Sequence, residues 1–240
     1  MKKYFDKSDN FLIFADLQNL MFKHEIKLIN KNIIELFKIL KKLKKNLILP
    51  TFNLEFPKTK KTNFDIKNIK TGYLNKFLCK KFNFKRTSKP MYNYALYGPK
   101  TKKILNLKQS TAWGNDSVIG YLVKNNSYGL GINIDPKIFN WLVIHYCEED
   151  ARVPYRFYKK FYGYNTSTKK KVIEKMYVRN LKKNKIEDGS KINKILIKKR
   201  IIKSFKFGIF DIFLLPLGKY YDIASKNLKK NKYFLVKNVK

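Results

Sequence analysis

His145 and Glu148 are the residues whose types and spacing most readily do chemistry. They sit three apart in a segment that reads as a helix, so they share one face. A carboxylate there can fix the tautomer of the imidazole and stabilise its cation, which makes a general base. The same spacing also suits a core histidine paired with an acid, and spacing alone favours that plainer reading. Cys147 faces away from His145 at i+2 and reads as packing. Cys79 and Cys147 are the two thiols, and with His145 they give no zinc-ligand spacing, so no metal is expected. His24 reads as a surface residue.

Three other stretches invite a ligand. Ser110-Thr111-Ala112-Trp113-Gly114-Asn115-Asp116-Ser117 places small and hydroxyl residues ahead of a helix. Such a turn can present backbone N–H groups to an anion, or supply an ordinary N-cap from Asp116 or Ser117. Arg86-Thr87-Ser88-Lys89-Pro90-Met91 can hold a phosphate or carboxylate, or be a solvated basic loop. Asp65 is a lone acid in a basic loop, able to orient an amine or to neutralise local charge.

The elements that must position these groups can be read from apolar patterning. Asn10–Ala15 and Asn46–Pro50 read as buried strands. Between them Ile33, Ile34, Leu36, Phe37, Leu40 and Leu43 fall at helical spacing with lysines outside. Strand, helix and strand form a βαβ unit and imply a parallel sheet. Residues 57–70 read as a loop, 71–82 as a helix, and 92–97 as a strand. Residues 117–124 read as a helix, 128–134 as a strand, and 139–150 as a helix. In the last third, 157–161, 175–180 and 205–215 read as strands, with 182–190 the clearest loop. The expected fold class is therefore α/β: a mixed or parallel central sheet flanked by helices, with a C-terminal antiparallel elaboration. We expect one domain over 1–240, of which 157–240 is a β-rich elaboration.

Composition narrows the function classes. The 240 residues carry 54 Lys+Arg against 17 Asp+Glu, a formal charge of +37. With 44% apolar residues the chain can bury a full core, which excludes wholesale disorder. No apolar run reaches the length of a membrane-spanning helix, and no signal-peptide core follows the N-terminus. Two cysteines fit a reducing cytosol, so a cytoplasmic location is expected. The charge invites a nucleic-acid reading. Yet only five basic residues are Arg, the residue suited to bidentate recognition. Lysine spread among Asn, Ile, Phe and Tyr reads better as a coding bias that fills solvated positions. A basic RNA-binding or ribosome-associated protein is kept as the alternative.

Taken in order, the motifs resemble those of the aminoglycoside 3-N-acetyltransferase family, the antibiotic N-acetyltransferases. Leu47-Ile48-Leu49-Pro50-Thr51-Phe52 resembles its second-strand motif. Phe64-Asp65 followed by Thr71-Gly72-Tyr73-Leu74 resembles its next segment. Arg86-Thr87 with Pro90-Met91 is similar to its Arg-Ser-x-x-Pro strand entry. Ser110–Ser117 resembles its Phe-Gly-x-x-Ser turn, and Leu130-Gly131 its glycine strand. His145-x-x-Glu148 resembles its signature, and Val153-Pro154-Tyr155-Arg156 continues as in many members. The match runs over roughly residues 9 to 181.

The resemblance implies acetyl transfer from acetyl-CoA to an amine of an amino sugar. It implies His145 as general base, Glu148 as its orienting acid and Asp65 near the amine. Arg86, Ser110, Thr111, Gly114 and Ser117 would lie along CoA. Acetyl-CoA and an amino sugar are the expected partners, and a homodimer is left open. Three departures stand out. Lys89 replaces a family histidine, Leu142 replaces a small hydroxyl residue, and the Gly131–His145 segment is long and carries Phe139-Asn140-Trp141. With a charge of +37 they favour a less cationic acceptor, such as a nucleotide-linked amino sugar.

Overall fold

The computed structural model describes residues 2–238. Met1, Val239 and Lys240, the ends of the expected 1–240 unit, lie outside the described residues. A short helix α1 (Lys2–Phe5) leads into β1 (Asn10–Ala15), α2 (Gln18–Lys23), α3 (Ile26–Lys42) and β2 (Asn46–Pro50). Then come α4 (Phe56–Thr59), β3 (Lys61–Thr62), a 3-10 turn over Ile66–Asn68, α5 (Tyr73–Lys81), β4 (Lys85–Arg86) and β5 (Tyr94–Tyr97). Helices α6 (Thr101–Leu105) and α7 (Val118–Lys124) precede β6 (Ser127–Ile132) and α8 (Val143–Asp150). The last third holds β7 (Arg156–Asn165), β8 (Lys171–Arg179), β9 (Lys185–Glu187), α9 (Ser190–Lys198), β10 (Lys203–Phe207), β11 (Phe210–Pro216), α10 (Leu217–Lys230) and β12 (Val236–Asn238).

The central sheet has the order β10-β11-β6-β1-β2-β5-β4. Its middle is parallel, with β1 between β6 and β2. Both flanks run antiparallel: β11 against β6, and β5 against β2. The mixed α/β class expected from the βαβ pattern is the fold observed. Alternation along β1 builds the two core layers. Phe11 and Ile13 meet Ile33, Leu36, Phe37 and Leu40 of α3 on one face. Leu12 points the other way, into the layer formed with Val118, Ile119, Val143, Ile144 and Tyr220.

The differences from sequence expectation lie mostly in the C-terminal third. Residues 205–215 are not one strand but the β10–β11 hairpin, turned at Gly208 with φ +53°. A Cβ there would lie 1.8 Å from Asn32 Oδ1, so the turn requires glycine. The 182–190 loop contains β9, paired with β12. The stretch expected to be β-rich also holds two helices, α9 and α10, and α10 packs against α8 and α7. The helix expected over 139–150 starts only at Val143, because Phe139 and Trp141 leave the helical path. They pack edge-on against Phe14, with ring centroids 5.2 and 5.9 Å away. Gly129 makes room: a Cβ on it would sit 2.5 Å from the Trp141 ring. This anchoring sets where α8 begins, and α8 carries His145.

Candidate active site

On α8, His145 turns its Nδ1 toward three charged groups. Glu148 Oε2 is 3.5 Å away and Glu187 Oε1 4.0 Å. Arg156 Nη2 is 3.3 Å away. The imidazole is one-fifth exposed, whereas Glu148 is fully buried. Tyr155 Oη donates to Glu148 Oε1 at 2.8 Å, and Arg156 Nη2 forms an ion pair with Glu148 Oε2 at 2.8 Å. The same Nη2 pairs with Glu187, and Nη1 donates to the Tyr177 carbonyl at 3.0 Å. Burial pulls the Glu148 carboxyl upward. Hydrogen bonding to His145, with the charges of Arg156 and His145, outweighs it and holds the group below the usual 4.5.

Trp113 lies against the other side of the cluster, with its ring 4.8 Å from that of His145. Tyr92 packs on Trp113 at 4.4 Å, and Phe52 on Tyr92 at 4.8 Å. This aromatic layer joins β2, the β4–β5 connection and the Ser110–Ser117 turn to α8. Behind it Glu174 of β8 is fully buried and accepts from Met91 N and Tyr92 N. Burial pushes its carboxyl up to about 7 despite those two bonds.

Between about 4.5 and 7 the folded protein holds a proton on Glu174 that the unfolded chain has released. Stability from this group therefore falls as pH rises through that window, by up to about 3 kcal/mol. Glu148 acts in the opposite sense: its contribution is present above 4.5 and lost as pH falls through its depressed folded value. Glu174→Gln is expected to flatten the decline in Tm between pH 5 and 7, followed by circular dichroism. An unchanged slope in the variant would remove Glu174 as its source.

His145 and Glu148 are brought together as their spacing predicts. The other expected site residues have protein partners of their own. Arg86 is committed to the protein: Nε donates to Asn93 Oδ1, Nη2 to the Thr51 carbonyl, and Nη1 to the carbonyls of Asn63, Asp65 and Asn68. Its geometry is that of a clamp on the 63–68 loop, not of a free phosphate ligand. Ser110 donates its N–H and hydroxyl to Asp116. Thr111 Oγ1 donates to Glu149 at 2.6 Å and accepts from Gly114 N. Ser117 caps α7 by accepting from Gly120 N. The turn thus satisfies its own hydroxyls, and what it delivers to the site is the Trp113 ring. Asp65 Oδ1 accepts from Lys67 N and caps the 3-10 turn. No hydrogen bond or ion pair among the described residues joins it to the His145 cluster.

Sequence reasoning missed Arg156 and Glu187 as site residues. One signal was available for Arg156. In a chain that uses lysine almost everywhere, an arginine marks a position that needs several fixed donors. His145, Glu148 and Glu187 offer ligand atoms within 4.8 Å of one another, a spacing a metal ion could use. The Arg156 guanidinium lies among them and supplies the positive charge there.

On this mixed sheet an imidazole is backed by one buried and one half-buried carboxylate, a group of side chains able to hold and pass a proton. Residues 43–229 match the family model of the aminoglycoside 3-N-acetyltransferases. The chain belongs to that family and is an acyltransferase. No curated protein sequence matches it. Among solved structures it resembles the apoenzyme of aminoglycoside acetyltransferase AAC(3)-IVa at 14% identity. That alignment covers 94% of this chain and 84% of the other, with a TM-score of 0.70. AAC-VIa bound to sisomicin aligns at 12% identity over 95% of this chain and 94% of the other, with a TM-score of 0.71. The YokD protein from Bacillus subtilis aligns at 15% identity over 96% and 91%, with a TM-score of 0.69.

Proposed function

We propose that the protein transfers the acetyl group of acetyl-CoA to a primary amine of an amino sugar, with His145 as general base. The observation that carries this reading is the His145 ring with its Nδ1 facing Glu148 and Glu187. A proton held on Nδ1 by Glu148 leaves the Nε2 lone pair free. Nε2 takes the proton from the amine as its nitrogen attacks the thioester carbonyl. The carbon–sulfur bond then breaks, and the proton passes to the departing CoA thiolate. Arg156 stands 3.3 Å from Nδ1 and competes for the same position. Its ion pairs with Glu148 and Glu187 draw the guanidinium toward the carboxylates, and so favour the tautomer that catalysis needs.

The donor fits the crevice at the C-terminal ends of β1 and β2, where open α/β sheets commonly take ligands. This cavity of about 500 Å³ is walled by Phe14, Leu17, Met21, Pro50, Phe52 and Phe139, a lining suited to the uncharged pantetheine arm. Titration calorimetry with acetyl-CoA, beside dephospho-CoA and a short RNA, tests the reading. Saturable binding of acetyl-CoA is expected, followed by thiol release once an amine is supplied. Absence of acetyl-CoA binding, with salt-sensitive RNA binding in its place, would overturn it.

A further inference from the structure

Phe52 stands between two cavities of opposite character. On one side is the crevice described above, whose lining holds no lysine or arginine and a single acid, Asp16. On the other is a cleft of about 370 Å³ walled by Phe52, Asn63, Lys61, Lys67, Lys70 and Arg86. A coding bias toward lysine would not sort charge between adjoining cavities in this way. The two carboxylates near the cleft do not line it. Glu55 is paired with Lys70, and Asp65 is turned onto the Lys67 backbone. Arg86 has donated its N–H groups to backbone carbonyls and Asn93, so its charge is fixed in the wall. Lys61 and Lys67 are exposed and free to close on a ligand. Through Phe52, Trp113 and the His145 ring, the cleft lies two ring contacts from the reacting imidazole.

Resting on the transferase reading, we propose that this cleft receives the phosphate of the acceptor, so that the acceptor is a phosphorylated amino sugar and not a polycation. The phosphate meets Lys61, Lys67 and the field of Arg86, while the amine extends past Phe52 toward His145. A drug with many ammonium groups meets the same cations as repulsion. CoA also carries phosphates, and the experiment separates the two sources.

Calorimetry would compare glucosamine 6-phosphate, glucosamine, sisomicin and acetyl-CoA on the wild type and on the Lys61→Glu/Lys67→Glu double variant. Glucosamine 6-phosphate is expected to bind about tenfold more tightly than glucosamine, roughly 1.4 kcal/mol. The double variant should erase that preference and leave acetyl-CoA affinity unchanged. Sisomicin binding as tightly as the sugar phosphate would overturn the proposal. So would a double variant that loses acetyl-CoA instead. If the charge reversal impairs folding, Lys61→Gln/Lys67→Gln makes the same comparison. Because binding is read directly, sugar-phosphate binding without thiol release would keep the cleft and refute the transferase reading. Thiol release with sisomicin alone would do the reverse.

Discussion

His145→Ala is expected to slow acetyl-CoA-dependent thiol release by about 10²- to 10⁴-fold, the usual contribution of a positioned base. The effect should fall on kcat with little change in acetyl-CoA affinity, because in the proposed reaction the imidazole handles the amine proton and not the donor. The fold should survive. The ring is one-fifth exposed, and Glu148 keeps its bonds to Arg156 and Tyr155 without it. Circular dichroism and acetyl-CoA calorimetry on the variant separate lost chemistry from lost structure. A folded variant that binds acetyl-CoA and turns over within a few-fold of wild type would place the base elsewhere.

The second large effect is on stability. Arg156→Leu would leave Glu148, fully buried, without its ion pair. Breaking a buried pair from one side costs about 3–5 kcal/mol, because a charge is stranded away from water. In a chain of this length each kcal/mol shifts Tm by about 2–4 °C. Adding Glu148→Gln to Arg156→Leu removes the stranded charge and should restore a large part of the loss. Thermal melts of the two single variants and the double variant form the cycle. Strictly additive losses would show that the two side chains do not act as a pair.

Both effects depend on partners that come from distant parts of the chain. Glu148 follows His145 by one helical turn, and that pair was readable from spacing. Arg156 opens β7, and Glu187 ends β9, a strand held only by β12 among the described residues. Their meeting at Nδ1 depends on where β7 and β9 pack, which no local pattern encodes. The Ser110–Ser117 turn shows the opposite case. Its residue types suggested backbone N–H groups offered to an anion, or an ordinary N-cap; Ser117 forms the cap, and the hydroxyls of Ser110 and Thr111 are held by Asp116 and Glu149. A hydroxyl in a sequence does not disclose whether a neighbour already holds it.

By itself the sequence determined the buried middle of the sheet, the helix α3 that crosses it and the order of the family motifs. Apolar periodicity is local and strong at Phe11–Ile13, at Ile33, Leu36, Phe37 and Leu40, and at Leu47–Leu49, all buried as their spacing requires, while Ile34 and Leu43 are half-buried. The same periodicity runs through α9 and α10, where Ile192 and Leu196, like Tyr220, Ala224 and Leu228, are buried at helical spacing with exposed lysines opposite, and the expectation of a β-rich tail overlooks it. Tertiary structure alone decided which charges face His145 and how charge is divided between the cavities beside Phe52. Coulomb energies depend on distance and burial, and a count of +37 spread along a chain carries neither.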